Sequence, residues 1–465
     1  MNKQLFTKWY VKYVLLALCG IILLIIPFLK TGQVGTEPFL IERLSQDISL
    51  YDGHSFSGRF AAYSWGTPLL FNVVPDILLN FLPFILGILT FVLFALILKD
   101  LTKDIDVFYI SLLLLTLSPS FIYLFSFSNF SFVPVFLALA AFFLFTKEKL
   151  QWLTIPILLI LPLFSIVITS SLLLVLFCYA FFWKKDKKIL FMILLFLALL
   201  VGSLYYGFIL YNTGTPAKVI LEKTNPFGFF QNVIFELGSN FGIGLFLIIL
   251  AIAGAISYWS EKYNNLFLFF STAFLLGFAM IRQEALLLLN FVLVYLAALG
   301  MNGLFKQKWA SKRFKQFVLF ILILGVVFSG SSQLIRINDS QPGPEIIKGL
   351  EFLEQQEKGV VFSHYSRGVW INSVGHRNVA DENSLFVENL DQRFEDVNAL
   401  FYSRELENSM ALINKYRIDY IWIDEGFKDE IWSYDTEGML FILQYTKDFN
   451  KIYDEEGVEI WKIKR

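Results

Sequence analysis

The stretch that decides the fold is residues 316–345, QFVLFILILGVVFSGSSQLIRINDSQPGPE. Its first part is an apolar run of the length that crosses a bilayer. Arg336 closes that run, and Gln341-Pro-Gly-Pro344 has the composition of a turn. Pro344 then opens a segment with apolar residues at Ile346, Ile347, Leu350 and Leu353, the spacing of an amphipathic helix. A membrane-embedded part therefore ends near residue 335 and a water-facing domain begins.

Working back from this junction, apolar runs begin near residues 11, 77, 108, 132, 152, 168, 189, 241, 265, 285 and 316. They predict a mainly α, polytopic membrane protein with about eleven transmembrane helices in residues 1–335. Composition agrees. Of 465 residues, 56% are hydrophobic and 17% are charged, too few charges to cover the surface of a soluble chain of this size. Cys19 and Cys178 both fall in apolar runs and the chain has three histidines. Neither a disulfide framework nor a histidine zinc site is expected.

Charge sets the orientation. Lys3, Lys8 and Lys12 precede or open the first run. Lys99 and Lys103, Lys147 and Lys149, Lys184 to Lys188, Lys262, and Lys306 to Lys315 then recur after every second crossing. The positive-inside rule places all of them in the cytoplasm with the N-terminus. Outer loops are then 30–76 and 212–240, and an odd number of crossings makes residues 336–465 extracytoplasmic. Met1–Lys30 reads as an uncleaved anchor, because Pro27-Phe-Leu-Lys30 is no small-residue cleavage site. Residues 336–465 hold 15 Lys and Arg against 25 Asp and Glu. That acidic surface repels phosphates, so no nucleic-acid partner is expected.

Within the tail, helices are predicted over 344–357 and 405–416, and strands over 360–362 and 420–423. A closing hairpin of 449–453 and 458–463 turns at Glu456-Gly457. Strands alternating with helices give a small α/β domain, large enough at about 130 residues to hold its own core.

Four segments can hold chemistry. The first outer loop packs acids, aromatics, glycines and prolines into about 35 residues, a length that usually has a function: Glu37-Pro38, Glu42-Arg43, Tyr51-Asp52, Gly58-Arg59, Tyr63-Ser-Trp-Gly66. Glu37 is placed to act as a general base or to stabilise an oxocarbenium ion; equally, it caps the helix that Pro38 begins. Glu236, in Val233-Ile-Phe-Glu236, either orients a substrate group or simply faces water. Arg282, in Met280-Ile-Arg282-Gln-Glu284, either clamps a phosphate or pairs with Glu284 and snorkels. Ser363-His-Tyr-Ser-Arg-Gly368-Val-Trp370, followed by His376-Arg377 and Asp381-Glu382-Asn383, lines a pocket or turns a core corner.

The order of these segments resembles the GT-C superfamily of membrane glycosyltransferases, and within it the catalytic subunit of archaeal and bacterial oligosaccharyltransferases. Glu37-Pro38…Arg43 is similar to that family's acid-Pro-x-x-x-x-Arg motif, with Glu for the usual Asp. Tyr51-Asp52, Gly58-Arg59 and Tyr63-Ser-Trp-Gly66 follow in the family's order. Val233-Ile-Phe-Glu236 resembles its Thr-Ile-x-Glu, and Met280-Ile-Arg282 its Met-Val-Arg. His364-Tyr-Ser-Arg-Gly368 stands where the family has Trp-Trp-Asp-Tyr-Gly, and His376-Arg377…Asp381 where it has Asn-Arg…Asp. The resemblance runs over the whole chain.

It implies a sugar transfer from a polyprenyl- or dolichyl-phosphate-linked donor, at the outer face of a lipid bilayer, to an acceptor it leaves open. Arg282 would bind the donor phosphate and Glu37 would be catalytic. Arg43, Asp52, Arg59, Glu236, Gly368, Trp370 and Arg377 would contact donor or acceptor. The sequence departs from the family in two places. Trp-Trp-Asp is replaced by His364-Tyr365-Ser366, so recognition of a peptide sequon is not implied. Residues 118–131 hold no acid, so no divalent metal is expected. The alternative reading is a non-catalytic membrane scaffold or a component of polysaccharide export.

Overall fold

The computed structural model describes residues 10–29, 33–60, 63–213, 226–239, 241–259, 266–382, 387, 389–434 and 436–464. Lys3, Lys8, Lys262 and Asn383 lie outside the described residues, as do residues 214–225 and 240 of the loop 212–240. The chain divides into two compact units. One comprises Met1–Gly32, Ser64–Gly207 and Ile220–Asp339; the other comprises Gln33–Tyr63, Phe208–Val219 and Ser340–Arg465.

The first unit is helical. Leu82–Leu101, Ile166–Trp183, Lys188–Asn212, Ala285–Lys306 and Lys312–Asn338 are each long and apolar enough to cross a membrane. The run expected near residue 77 starts its helix at Leu82. Asp76–Leu79 makes only a single turn, and Pro83 in the next first turn fixes the restart. Ile105–Thr116 and Pro119–Ser126 form a pair bent by 57°. Pro119 cannot continue the hydrogen-bond ladder; at the break the Ser118 amide donates to the Leu115 carbonyl at 3.0 Å, the Ser118 carbonyl accepts from the Phe121 and Ile122 amides, and the Ser118 hydroxyl donates to Asn290 Oδ1 at 2.8 Å. Asn129, the first residue of a glycosylation sequon, is buried. Its amide donates to the Leu124 and Phe127 carbonyls, and its oxygen accepts from the Ser131 and Phe132 amides. It caps a helix and cannot carry a glycan in this fold.

Ala285–Lys306 is the central helix, with 89% of its apolar window buried. Its crossing with Leu245–Ser257 is a backbone contact. A Cβ on Gly254 would stand 2.0 Å from the Leu296 carbonyl, and one on Gly300 would stand 2.1 Å from the Leu250 carbonyl. Small residues at such crossings allow the close packing that holds helices together in lipid.

The second unit contains a short antiparallel pair, β1 (Tyr51–Asp52) and β2 (Arg59–Phe60), and a mixed five-stranded sheet. The sheet order is β4 (Arg377–Asn378), β3 (Val360–Phe362), β5 (Ile418–Asp424), β7 (Val458–Ile463) and β6 (Phe449–Glu455). β3 runs parallel to β4 and β5, and β7 runs antiparallel to β5 and β6. Successive strand residues point to opposite faces. Val361, Tyr420, Trp422, Val458 and Ile460 therefore face Pro344–Glu354 and Gly368–Ser373, while Phe362, Ile421, Ile423, Trp461 and Ile463 face the helices from Leu390 to Tyr445. β4 and the helices Gly368–Ser373, Leu390–Tyr402, Glu425–Ile431 and Gly438–Tyr445 were not foreseen from the sequence. They are short, or their polar faces hide the period.

The segment Gln33–Tyr63 joins both cores of this unit. Phe56 is buried in the cluster beneath the long-helix face, and Phe39 packs on the opposite cluster. Phe56 adopts φ 53°, Ser57 φ 58° and Gly58 φ 120°. Two non-glycine residues in left-handed backbone are costly, and the burial of the Phe56 ring between the Arg59 and Arg393 guanidiniums, 5.2 and 5.6 Å from its centroid, offsets that cost.

Candidate functional site

In the second unit, Glu37 is the half-buried first residue of the helix Glu37–Gln46. Pro38 pre-sets the first turn, and the acid lies at the positive end of the helix. Three bonds fasten Gly35 and Thr36, the two residues that enter it. The Gly35 amide donates to the Gln341 carbonyl at 2.8 Å. The Gly35 carbonyl accepts from the Trp370 indole at 3.1 Å. The Thr36 hydroxyl donates to Glu382 at 3.4 Å and leaves its own helix without a side-chain cap.

At the other end of that helix, Arg43 forks onto Asp52 with bonds of 2.6 and 2.8 Å. Asp52 also accepts from the His54 and Ser55 amides at 3.1 Å each and from the Tyr63 hydroxyl at 2.9 Å. Tyr63 in turn accepts from Arg59 at 2.6 Å. Arg59 lies 3.8 Å from Asp381, which accepts the Ser55 hydroxyl and the Asn378 amide. Burial alone would raise the Asp52 carboxyl. The Arg43 bonds and charge, with the Ser55 amide and Tyr63 hydroxyl, outweigh it and hold Asp52 well below the carboxylate range. Burial pushes the Tyr63 phenol up to about 12. Burial, and then the Arg43 charge, push the His54 imidazole down. Arg43, Asp52 and Arg59, expected as substrate contacts, are thus brought together in one network with Tyr63 and Asp381.

Gly368 and Trp370 are placed by packing. A Cβ on Gly368 would stand 2.3 Å from the Ala380 carbonyl, and Trp370 is 3% exposed within a core cluster. Arg377 is exposed on β4. Sequence reasoning missed Phe56, Asn378, Arg393 and Asp424. Asp424 accepts two bonds from Arg367, at 2.9 and 2.8 Å, and caps the following helix through the Phe427 amide at 3.0 Å. The signal available for it was an acid ending an apolar strand just before Glu425-Gly426.

In the first unit, Glu236 accepts the Ser329 hydroxyl on one oxygen and the Leu245 amide, at 2.9 Å, on the other. It caps the helix Leu245–Ser257. Arg282 lies in the turn between Leu266–Ala279 and Ala285–Lys306 and is exposed. Among the described residues its guanidinium has no ion pair, with Glu284 or any other acid, and no hydrogen bond. Among the described residues, too, no group of three His, Cys, Asp or Glu converges as a metal requires.

The helical unit and the sheet unit together define a polytopic membrane protein with an α/β domain. The chain has the fold of archaeal oligosaccharyltransferase, a GT-C enzyme. The structure of the Archaeoglobus fulgidus oligosaccharyltransferase in the apo form matches with a TM-score of 0.59 and 13% identity, over 90% of this chain and 70% of that one. The same organism's oligosaccharyltransferase AglB, in complex with an inhibitory peptide and a dolichol-phosphate, matches with 0.58 and 13%, over 98% and 75%. Its complex with Zn and sulfate matches with 0.56 and 13%, over 97% and 73%. No protein-family model matches the sequence, and no curated protein matches it.

Proposed function

We propose that the chain is a membrane glycosyltransferase that moves a sugar from a polyprenyl- or dolichyl-phosphate-linked donor to an acceptor at the outer face of a cell membrane. The observation that supports this most is Arg282: an exposed guanidinium, unpaired among the described residues, in a turn between two apolar helices of a chain with this fold. A guanidinium there matches a phosphate geometrically and in charge. Residues 1–335 supply the donor-holding helices. If the bent pair and the five shorter apolar helices each cross once beside the five long helices, the crossings number eleven, and the positive-inside rule then puts the N-terminus in the cytoplasm and residues 336–465 outside.

In the reaction, an acceptor oxygen or nitrogen attacks the anomeric carbon and the bond from that carbon to the phosphate oxygen breaks. Arg282 offsets the charge left on the phosphate. Glu37 takes the acceptor's proton or stabilises the oxocarbenium character of the carbon. The Arg43–Asp52–Arg59 network fixes the loop that carries Glu37, Glu236 caps the helix Leu245–Ser257, and Arg377 stays available to an acceptor. No step is routed through a metal.

The test is turnover in proteoliposomes with a panel of hexosyl polyprenyl phosphates and pyrophosphates, read as release of the lipid phosphate. Glu37→Gln is expected to abolish turnover with expression and lipid-phosphate binding intact. Full activity in that variant refutes the mechanism. Absence of both turnover and lipid-phosphate binding in the native protein favours the scaffold or export reading instead.

A further inference from the structure

We propose that Trp370 is a positioning residue for Glu37, acting through the Gly35 carbonyl. This rests on the glycosyltransferase reading above and extends it, because it gives the outer domain a part in the chemistry other than acceptor binding.

The geometry comes from one connected series of contacts. Asp424 at the end of the central strand fixes the Arg367 guanidinium with two bonds. Arg367 stacks over the Trp370 ring at 5.6 Å. The ring is also packed among Ile346, Leu350 and Ile371, so its indole N–H points in one direction. That N–H meets the Gly35 carbonyl. Gly35 has φ 80° and no heavy atom within 4 Å of where a Cβ would be, so glycine is needed for its backbone angle and not for space. Glu37 follows two residues later, and Pro38 stiffens the turn that carries it.

Trp370 acts on placement because the two ends of the helix are held independently. Arg43 and Asp52 hold the last turn. Thr36 gives the first turn no side-chain cap, and the chain entering it is fastened through the bonds to Gly35 and Thr36 and through the Gln33 amide on Glu42. Losing the indole bond therefore shifts the start of the helix, and Glu37 with it, while the loop stays folded. Displacements of about 1 Å in a reacting group can cost up to about a hundredfold in rate.

The experiment uses the full-length protein in proteoliposomes with hexosyl polyprenyl phosphates, and compares Trp370→Phe, Gly35→Ala and Glu37→Gln. Trp370→Phe keeps a packed ring and removes the donor. It is expected to lower kcat about tenfold with the donor KM within about twofold, and to speed amide exchange over residues 36–43 but not over the strands 418–424 and 458–463. Gly35→Ala, which meets no side chain, is expected to do the same and decides the matter if Trp370→Phe unfolds the domain. A rise in KM with kcat unchanged makes Trp370 a substrate contact and overturns the proposal. Native kcat and exchange in both variants overturn it too, and if Glu37→Gln is then inactive the glycosyltransferase reading survives alone. Native turnover in Glu37→Gln removes that reading and the positioning role with it.

Discussion

Arg43 and Arg282 come from segments that look equally functional, and the structure treats them in opposite ways. Arg43 is 10% exposed at its side chain and forks onto Asp52, which is 1% exposed. Arg282 is exposed and, among the described residues, bonded to no acid. Taking a charge out of water is tolerable only when a partner and further bonds replace the lost hydration. Arg43 has committed both terminal nitrogens to that requirement, and its buried Nε has no partner among the described residues. Arg282 still has its donors to give. A charged residue in a motif is therefore a candidate for binding when its bonding capacity is unused, and a fastener when it is consumed.

The sharpest way to break this comparison is to remove the acid that consumes Arg43. Asp52→Ala leaves a buried guanidinium unpaired and is expected to cost about 3–5 kcal/mol, seen as proteolysis of the C-terminal domain at lower temperature. Unchanged resistance would make the network dispensable. Phe56→Ala empties the core position that anchors the same loop and is expected to cost about 3 kcal/mol, read in the same assay. Alanine keeps the Cβ, so the left-handed backbone cost at that residue remains.

Arg282→Gln is the opposite test. Stability is expected to stay within about 0.5 kcal/mol, while affinity for polyprenyl phosphate falls about 10- to 100-fold. A destabilised Arg282→Gln with native binding would reverse the two arginines' roles.

The smallest effect is on mild acidification. His54 titrates below its ordinary 6.5 in the folded chain, so the unfolded chain takes up that proton first and stability falls slightly as pH drops below about 6.5. The Asp52 carboxyl is depressed, so its contribution is complete above its unfolded value near 3.8 and is lost only as pH falls from there towards the folded value. A denaturation series from pH 7 to 3 is expected to show a shallow slope followed by a steep one. Asp52→Asn removes the steep part.

The sequence by itself determined the apolar helices, the junction at Gln341-Pro-Gly-Pro344 and the strands at 360–362, 420–423 and 449–463. Each follows from a local rule: apolar length, turn composition, or β-rich runs between breakers. It also marked Glu37, Arg282 and the loop between Arg43 and Tyr63 as places rich in costly residues. Only the tertiary structure decided which partners those residues meet. Asp52 and Arg43 are nine residues apart, but Ser55 meets Asp381 across 326 and Trp370 reaches Gly35 across 335. No local pattern encodes a bond of that separation. It exists because Phe56 and Phe39 bury themselves in the two cores of a domain made by the far end of the chain, and the polar groups carried in with them must then be paired.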